Sequence, residues 1–524
     1  MRLLAASAVA WVLLLAAPAF AVDPAALDRA YGTHGVVRTR ATLIAVAADG
    51  AIVEAGPGVS VTRRTALGRI DAGFAASTPL PGLRASEVAA GPGRSAAVAG
   101  FGGAIDPRNG AWSRRVVLKL RKDGRPDRAF AADGVVELGP GPPPFGLAVA
   151  GDGSTFVGLA GGVLRLLPDG TPDPGFGRDG AATAGLEVGD QITRVQLDSL
   201  GRPLLSIFTS LDTPYGSYAV RVVRLRPDGS LDPAFSVVPA PVTISPIGLL
   251  IPGSRRCARI FDELGCGLAV TRLDEDGRSP VGFEVAGSRN DYAGAAAADT
   301  RGRVILRGGN GEVARLSADG STDRHFGVCG IRKPQPRFAS GLVSIQPTGR
   351  ILVARMVLSS PPRERAGTII YALRGGDGRT PIPRRPTVAA GYDDAHLGVP
   401  LGSLRRLPLR YRAATRATLT VQLRSTARPG SLIYKPHSTG EIRRLGLPVI
   451  LARARVAVMP CRTATALLHV SADLRARLRR RLSSGASLTV ITRVANRYGS
   501  IRARTTVKLE GGGTIGEPRP TDPG

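Results

Sequence analysis

Signatures of catalysis and of metal binding are scarce in this sequence of 524 residues. The glycine-rich phosphate loop, the dinucleotide-binding glycine pattern, the serine hydrolase elbow and the zinc protease motif are all absent. The five histidines are scattered, and no two of them have the spacing of metal ligands: His34, His325, His396, His437 and His469. The sequence therefore predicts no catalytic residue, no metal site and no cofactor.

Aromatic residues and lysine are also rare. Aromatic residues make up 5% of the chain, and Trp112 is the only tryptophan after residue 21, which argues against a lectin that stacks sugars on aromatic rings. Lysine supplies only five of the 70 basic residues, a bias that a GC-rich genome produces without selection for any ligand. The net charge of +29 therefore does not by itself indicate a nucleic-acid partner, and we expect none.

Only one long apolar run is present, and it lies at the N terminus. Arg2 precedes "LLAASAVAWVLLLAAPAF", which leads into Ala19-Phe20-Ala21, a small-residue pattern typical of a signal peptidase site. We expect residues 1–21 to be a cleaved signal peptide, with an uncleaved membrane anchor as the alternative. The mature chain is then expected to lack a transmembrane segment and to be secreted or extracytoplasmic.

What the sequence does contain is a repeat. Near copies of "LRPDGSLDPAF" (225–235) recur along the chain, and each copy ends in an aromatic residue. The spacing between these aromatic residues averages about 49 residues, which is typical of a solenoid or a propeller. The closing residues are Tyr31, Phe74, Phe130, Phe176, Phe235, Phe283 and Phe326.

Each unit contains two hairpin signals. The stretches 43–56 and 222–232 are apolar, β-branched runs around Asp-Gly, a pair that suits tight turns because glycine accepts a positive φ. Two hairpins make a four-stranded antiparallel sheet, the blade of a β-propeller, and we expect the closing Phe to pack between neighbouring units. Seven blades are predicted, with six or eight as alternatives, and the half-copy at 27–37 is expected to complete the last blade.

These residues resemble a known family. The pattern "L-x-x-DG-x-x-D-x-x-F" with its upstream hairpin resembles the delta-60 repeat of uncharacterised exported bacterial proteins. The resemblance covers about 27–380, and it is weak at 67–74 and 276–283, where an Asp or the Asp-Gly pair is missing. It implies a propeller and export, and it implies no established activity.

The composition changes beyond the repeats. Residues 22–380 are predicted to form the propeller, and the stretch 381–402 is rich in Gly, Pro and charge, which favours a linker. In 403–510, runs that alternate apolar residues with Arg or Thr indicate half-buried strands, with Ser471 as the N-cap of a short helix and Gly485 at its end. This segment resembles an immunoglobulin-like β-sandwich, and the tail 511–524 reads as disorder. The predicted fold class is all-β: a seven-bladed β-propeller followed by a smaller immunoglobulin-like β-sandwich.

Four cysteines in an exported protein favour disulfides. Cys257 and Cys266 are close in sequence. If the turn between their strands lay at 262–265, Cys266 would face Phe261, so a bond between the two cysteines would require a looser loop. Cys329 and Cys461 fall in different predicted domains and are either free or a bridge between them.

The predicted function is that of an exported binding or scaffolding protein whose partner is a protein or an envelope polymer. The alternative is a propeller enzyme (a lyase, a hydrolase or a dehydrogenase) with its site at the central channel. The segment 403–510 carries 23 basic and 3 acidic residues and is expected to contact anionic surfaces.

Both turns of a unit should lie on one face of the propeller, and the longer loops 101–115, 209–218 and 359–368 should lie on the other. Those loops supply the candidate binding residues Trp112, Arg114, Tyr215, Tyr218, Arg363 and Arg365.

Overall fold

A computed structural model shows an all-β protein built from small, almost entirely antiparallel sheets. The residues that the structure describes are 25–56, 59–75, 80, 82–108, 110–187, 190–210, 218–238, 242–260, 263–285, 293–308, 311–332, 341–357, 366–376, 388–390, 397–400, 405, 407–413, 416–424, 450–461, 463–481, 487–497 and 499–510.

The repeat region contains 26 described strands. In chain order they are β1 (Val36–Thr39), β2 (Leu43–Val46), β3 (Ile52–Ala55), β4 (Val61–Arg64), β5 (Leu83–Ala90), β6 (Ala96–Ile105), β7 (Trp112–Leu120), β8 (Val135–Glu137), β9 (Leu147–Val149), β10 (Thr155–Leu159), β11 (Gly162–Leu166), β12 (Ala181–Ala182), β13 (Asp190–Leu197), β14 (Pro203–Ser210), β15 (Tyr218–Arg224), β16 (Thr243–Ser245), β17 (Gly248–Ile260), β18 (Glu263–Leu273), β19 (Val281–Glu284), β20 (Ala293–Ala298), β21 (Val304–Gly308), β22 (Val313–Leu316), β23 (Ile331–Arg332), β24 (Val343–Ile345), β25 (Ile351–Val357) and β26 (Gly367–Leu373).

In the described part of 36–373 these strands form seven sheets of three or four strands. Sheet 1 is β2–β4, sheet 2 is β5–β8, sheet 3 is β9–β12, sheet 4 is β13–β15, sheet 5 is β16–β19, sheet 6 is β20–β23, and sheet 7 is β24–β26 with β1. An apolar cluster fills each junction between consecutive sheets. Another cluster, which includes Tyr31, Ile52 and Leu352, joins sheet 7 to sheet 1, so the succession of sheets closes on itself.

The N-terminal half-copy completes the last sheet. Strand β1 pairs antiparallel with β26, with Val37 opposite Ile370. Asp28 forms an ion pair with Arg350 of sheet 7 at 2.7 Å, and the guanidinium of Arg350 lies 5.7 Å from the ring of Tyr31. The prediction that the half-copy belongs with the last unit is confirmed.

The Asp-Gly turn of one sheet lies against the closing aromatic residue of the sheet before it. A Cβ on Gly124 would lie only 2.9 Å from the Phe74 ring, so the turn needs glycine for this close approach as well as for its φ of +80°. The residue after the aromatic donates its N–H to the carbonyl of the turn Asp, and the same bond recurs at four junctions: Ala75 to Asp123, Ala131 to Asp169, Gly177 to Asp228 and Ser236 to Asp276. The predicted packing of the Phe between units is confirmed.

A basic residue stands eleven positions before each closing Phe, a feature of the repeat that the sequence reasoning missed. In four units its cation lies over the ring of that Phe, at 4.8 Å for Lys119, 4.9 Å for Arg224, 5.6 Å for Arg272 and 4.9 Å for Arg315. The full set is Arg63, Lys119, Arg165, Arg224, Arg272 and Arg315. Because these side chains turn inward, part of the chain's positive charge is structural.

Arg224 shows how this cation joins two sheets. Its side chain is buried, and its Nε donates to Asp232 of the same unit at 2.8 Å. Its two terminal nitrogens reach the next turn, where they donate to the carbonyl of Glu275 at 2.8 Å and to the carboxylate of Asp276 at 2.7 Å. The repeated Asp therefore pairs with the repeated Arg, in addition to capping its own turn through the N–H of Ala234.

The second hairpin of each unit is shorter than predicted. After the turn at 228–229, pairing is limited to one bridge between Leu225 and Leu231. The chain then turns again, because the N–H of Phe235 donates to the carbonyl of Asp232, and outer pairing resumes where Val238 meets Val222. The second turn is what places the Phe between the sheets.

The C-terminal region contains two further sheets. One has the strand order β27 (Val388–Ala390), β29 (Leu407–Ala413) and β32 (Thr463–Leu468). The other has the order β28 (Leu397–Pro400), β34 (Gly499–Glu510), β33 (Ser487–Asn496), β30 (Ala417–Arg424) and β31 (Ile450–Val458). The helix α1 (Ala472–Arg481) connects β32 to β33.

Several local predictions for this region are confirmed. Strand β30 alternates buried and half-buried residues, as its apolar alternation predicts. The hydroxyl of Ser471 accepts the N–H of Leu474 and so caps α1, while Gly485 lies outside the described residues. The stretch 381–402 was predicted to be a linker, but the structure has two short strands in it. Strand β27 pairs with β29, and β28 pairs with β34. Short strands that are held by backbone hydrogen bonds do not require an alternation of apolar and polar residues, so the sequence pattern did not indicate them.

Cys329 and Cys461 form a disulfide, with their Cα atoms 5.4 Å apart. Cys329 is buried in the turn before β23, and Cys461 follows β31. Of the two alternatives, the bridge between the repeat region and the C-terminal region is the one observed.

The register expected around Cys257 and Cys266 is wrong. Ile260 pairs with Glu263, so the turn is tighter than 262–265. A bulge between Arg255 and Ala258 leaves two residues, Arg256 and Cys257, opposite Cys266. Their side chains lie outside the described residues, and a bond between them stays a prediction. Among the described helices, none is long and apolar enough to cross a membrane.

We predict that Arg224→Met lowers the free energy of unfolding by about 3–5 kcal/mol, because it leaves two carboxylates without their buried partner. Urea denaturation followed by tryptophan fluorescence and circular dichroism measures this loss. The control is Arg226→Met, an exposed arginine of the same turn, which should change stability by less than about 0.5 kcal/mol. Equal effects of the two variants would contradict the role given to Arg224.

Candidate functional site

The tip of sheet 2 carries the first candidate site. Strands β6 and β7 run beyond the rest of the sheet, and their pairing extends to Ile105 opposite Trp112. Asp106 closes the connection by accepting the N–H of Gly110 and donating its own N–H to Ala111. This end of the sheet lies opposite the turn between β5 and β6, on the side where the longer loops were predicted.

Trp112 lies in a small aromatic and cationic cluster at this tip. Its ring meets Phe101 edge to face, with the centroids 5.0 Å apart, and the exposed guanidinium of Arg84 lies 5.9 Å from the indole. The backbone of Trp112 exchanges two hydrogen bonds of 2.9 Å with Gly141. A half-buried tryptophan held on both sides in this way is a rigid amphipathic surface of the kind found at binding hot spots.

Arg114 lies on the same strand but is already paired. Its guanidinium contacts the carboxylate of Glu137 in β8 at 2.6 Å, and the hydrogen bond with Glu137 raises the pKa of Arg114. Both side chains are about half exposed, so the pair adds little to stability. The structure therefore offers a neutralised pair at this position instead of a single positive charge.

A groove of about 560 Å³ is lined by Ala111 and Ser113, the chain neighbours of Trp112. The β6–β7 tip forms one wall, including Ile105 with 52% of its surface exposed, and the segment 140–142 forms the other. An exposed apolar side chain next to a groove is the second feature that suits this tip to contact with a partner.

Of the six predicted binding residues, the structure places only Trp112 and Arg114 together. Tyr218 begins β15, and its side chain lies outside the described residues. Tyr215, Arg363 and Arg365 also lie outside them.

Asp190 links the three strands of sheet 4 at the end where β14 leads into the connection 211–217. Its buried carboxylate accepts hydrogen bonds from Arg221 of β15 at 2.6 Å, from Thr209 of β14 and from the N–H of Glu187. Burial alone would raise the pKa of Asp190, but these hydrogen bonds and the charge of Arg221 lower it to about 2. The loop-bearing strands are therefore tied together by a carboxylate that stays charged down to low pH.

The innermost strands carry the second candidate site. The first strand of a sheet contacts the first strand of the next at five junctions: β2 with β5, β5 with β9, β9 with β13, β16 with β20, and β20 with β24. Three of these strands have a bulge at the matching position. In β5 and β13 the hydroxyl of the bulged residue, Ser86 or Thr193, donates to a carbonyl of the neighbouring strand. In these two strands the residue after the bulge is charged: Glu87 in β5 and Arg194 in β13.

The charges of Glu87 and Arg194 influence each other across β9. Burial raises the pKa of Glu87, although an N–H from Gly146 and the charge of Arg194 act in the opposite direction. A Cβ on Gly146 would lie 2.6 Å from the backbone nitrogen of Val195, so this glycine lets the two strands approach. Arg194 has an exposed surface, and yet desolvation lowers its pKa. A side chain with both properties lies in a recess, as expected for a residue that faces a central channel.

These two residues were missed from the sequence, although a signal exists. In "LRASEVAA" (83–90) and "DQITRVQL" (190–197) a charged residue, Glu87 or Arg194, stands directly before a valine in the middle of the stretch. Within the described part of the chain, no group of three or more His, Cys, Asp and Glu could hold a metal ion.

One family model matches the chain, the β-propeller model of a domain of unknown function, DUF5122, over residues 147–176 and 210–235. These segments hold β9–β11 with Phe176, and β15 with Phe235. No curated protein matches the chain. The family match and the succession of small antiparallel sheets support a β-propeller fold for the repeat region.

Similar solved structures are distant. The extracellular domain of the hybrid two component system BT4673 from B. thetaiotaomicron is 9% identical, with a TM-score of 0.34 over 90% of this chain, and the chain spans only 57% of that protein. YCF48 from Cyanidioschyzon merolae is 12% identical, with a TM-score of 0.36 over 64% of this chain and 98% of its own. A fungal alcohol oxidase in complex with copper is 11% identical, with a TM-score of 0.34 over 90% of this chain and 98% of its own. At such TM-scores none of them carries an argument about function.

We predict that Glu87→Gln raises the melting temperature at pH 7. A folded-state pKa above the unfolded value means that burying the carboxylate costs free energy at high pH, and that this cost disappears below the unfolded value of about 4. The gain should therefore shrink as the pH falls toward 4, and thermal melts from pH 4 to 8 measure it. Glu137→Gln, at an exposed carboxylate, is the control. A destabilised Glu87→Gln at pH 7 would contradict the prediction and show that attraction to Arg194 dominates.

Proposed function

We propose that this chain is an exported seven-bladed β-propeller of the delta-60 type, followed by an immunoglobulin-like β-sandwich, and that it is a binding or scaffolding protein. The closed succession of sheets, the family match and the N-terminal apolar run support this architecture. The proposed partner is a protein or polymer of the cell envelope, bound at the tip of sheet 2.

The observation that carries the proposal is the cluster of Trp112, Phe101 and Arg84 beside an open groove. Tryptophan and arginine are the residue types that contribute most to interfaces, and a ring already held in place loses little conformational entropy on binding. The opposite face is occupied by the short turns and by the cations that join them, so its residues are committed to the fold.

The alternative is an enzyme with its site at the central channel, and Glu87 beside Arg194 is the observation that favours it. A carboxyl group whose pKa is raised by burial holds its proton more readily than an exposed one, and this suits a general acid. Within the described residues, however, it is the only carboxyl group whose pKa is raised, and general acid and base catalysis commonly uses a pair of titratable groups. The binding function is therefore the better supported of the two.

The C-terminal region adds a basic surface. Arg455 of β31 and Arg493 of β33 both lie opposite Thr420 of the central strand β30, so the two exposed arginines lie in one row on the same face of the sheet. Arg453 stands two residues before Arg455 in β31, so it lies on the same face, and it is also exposed. We propose that this row contacts anionic lipid or polymer of the envelope.

We predict that Trp112→Ala in the mature protein abolishes capture of its envelope partner in a cross-linking pulldown, while changing the free energy of unfolding by about 1 kcal/mol. The control is Leu200→Ala, since Leu200 is a large apolar residue with 74% of its surface exposed, in the turn between β13 and β14. A partner that is lost with Leu200→Ala and kept with Trp112→Ala would place the binding face on the turn side.

We predict that replacing Arg453, Arg455 and Arg493 together by Gln weakens cosedimentation with phosphatidylglycerol vesicles. About 1 kcal/mol is expected for each arginine, and the effect should fade as salt is added. The control replaces Arg121, Arg178 and Arg226, three exposed arginines of the repeat region, by Gln. The same loss in both variants would show a nonspecific effect of net charge and would contradict a dedicated surface.

A further inference from the structure

A second cavity lies on the other side of the segment 140–142, between sheets 2 and 3. Its volume is about 400 Å³, within the range of small-molecule sites. Most of its lining is apolar or glycine, including Pro140, Gly141, Pro142, Gly161 and Val163. The one charged residue in the lining is Arg115 of β7.

Arg115 is a buried cation held only by neutral groups. Its Nε donates to the carbonyl of Gly139 at 2.9 Å, and its terminal nitrogens donate to Leu138 at 2.9 Å and to Pro142 at 3.3 Å. Within the described residues, no carboxylate forms an ion pair with it, and burial lowers its pKa without an opposing charge. Other buried arginines of this fold, such as Arg224, have acidic partners.

The segment 138–142 fixes the guanidinium at the cavity wall. A Cβ on Gly141 would lie 2.6 Å from Cζ of Arg115, so a larger residue here would displace the guanidinium from its present position. Three of the five N–H groups of the guanidinium are used by the carbonyls, and two remain. A buried charge without a counter-ion is unfavourable, so an anion that enters the cavity gains both charge pairing and hydrogen bonds.

We propose that this cavity binds the carboxylate of a small apolar ligand, with the carboxylate on Arg115 and the apolar part against Pro140, Pro142 and Val163. The carboxylate belongs either to a free carboxylic acid or to the C-terminal residue of a peptide, since both present the same chemistry. The inference goes beyond the proposed function. It concerns a different cavity, which shares only the wall 140–142 with the groove near Trp112. Trp112 does not line this cavity, so Trp112→Ala leaves carboxylate binding intact whether or not the envelope partner is confirmed.

The test measures binding of hexanoate and of hexanamide to the mature protein by ligand-observed NMR and calorimetry. A second pair of probes is a short peptide ending in leucine, with its C terminus free or amidated. At least one carboxylate should bind, and its amide should bind at least about tenfold more weakly, since the loss of a charge-assisted hydrogen bond is of this size. Binding of hexanoate identifies a free acid as sufficient, and binding of the free peptide alone identifies a peptide end.

Variants locate the site. Gly161→Leu adds a side chain to the cavity wall at a position where no atom lies within 4 Å, so it should block binding without disturbing the fold. Gly151→Leu is the matched control, because its surroundings are equally open and it lies at the other end of sheet 3. Arg115→Leu should abolish the preference for carboxylate over amide. If that variant fails to fold, Gly161→Leu still tests whether the ligand binds in this cavity.

Three outcomes would overturn the proposal. They are carboxylate and amide probes that bind equally, the absence of binding by both carboxylates at millimolar concentration, and a Gly161→Leu protein that binds like wild type.

Discussion

The basic residue eleven positions before each closing Phe, which in four units lies over that ring, is the interaction on which the repeat region depends. In the unit that ends at Phe235, Arg224 lies over the ring, pairs with the repeated Asp232 and reaches the turn of the next sheet. One side chain therefore links three features that recur in the sequence. Replacing the cation or the Asp would leave the other charge buried without a partner. The cation, the Asp and the aromatic residue therefore recur together in the repeat.

This arrangement separates structure from binding. The turn side of the sheets is crowded by short turns, glycines and inward-facing cations, and substitution of one of these cations disturbs the contact between two sheets. The opposite end carries connections of variable length, and there Trp112 and Phe101 remain partly accessible. Between sheets 2 and 3 the same end holds a cavity with a buried guanidinium, so the features suited to ligands gather around sheet 2.

Arginine has different roles in the two parts of the chain. In the repeats many arginines pair with aspartate: Arg202 with Asp198, Arg221 with Asp190, and Arg315 with Asp323. Beyond residue 403 acidic residues are few, and exposed arginines such as Arg453 and Arg455 alternate with apolar residues along a strand. Net charge alone did not distinguish these roles, because the distinction lies in whether an acidic partner is within reach.

The sequence by itself determined the features that depend on neighbouring residues. The Asp-Gly turns, the apolar alternation of β30, the Ser471 cap and the period of the closing aromatics are all local, so the all-β class and the unit length followed from them. Tertiary structure decided what depends on distant contacts. The recess at Glu87 and Arg194, the disulfide between Cys329 and Cys461, and the buried cation Arg115 each join segments that the chain separates, and no local pattern records such a pairing. The short strands in 381–402 also escaped prediction, because backbone hydrogen bonds to a sheet edge do not depend on side-chain sequence.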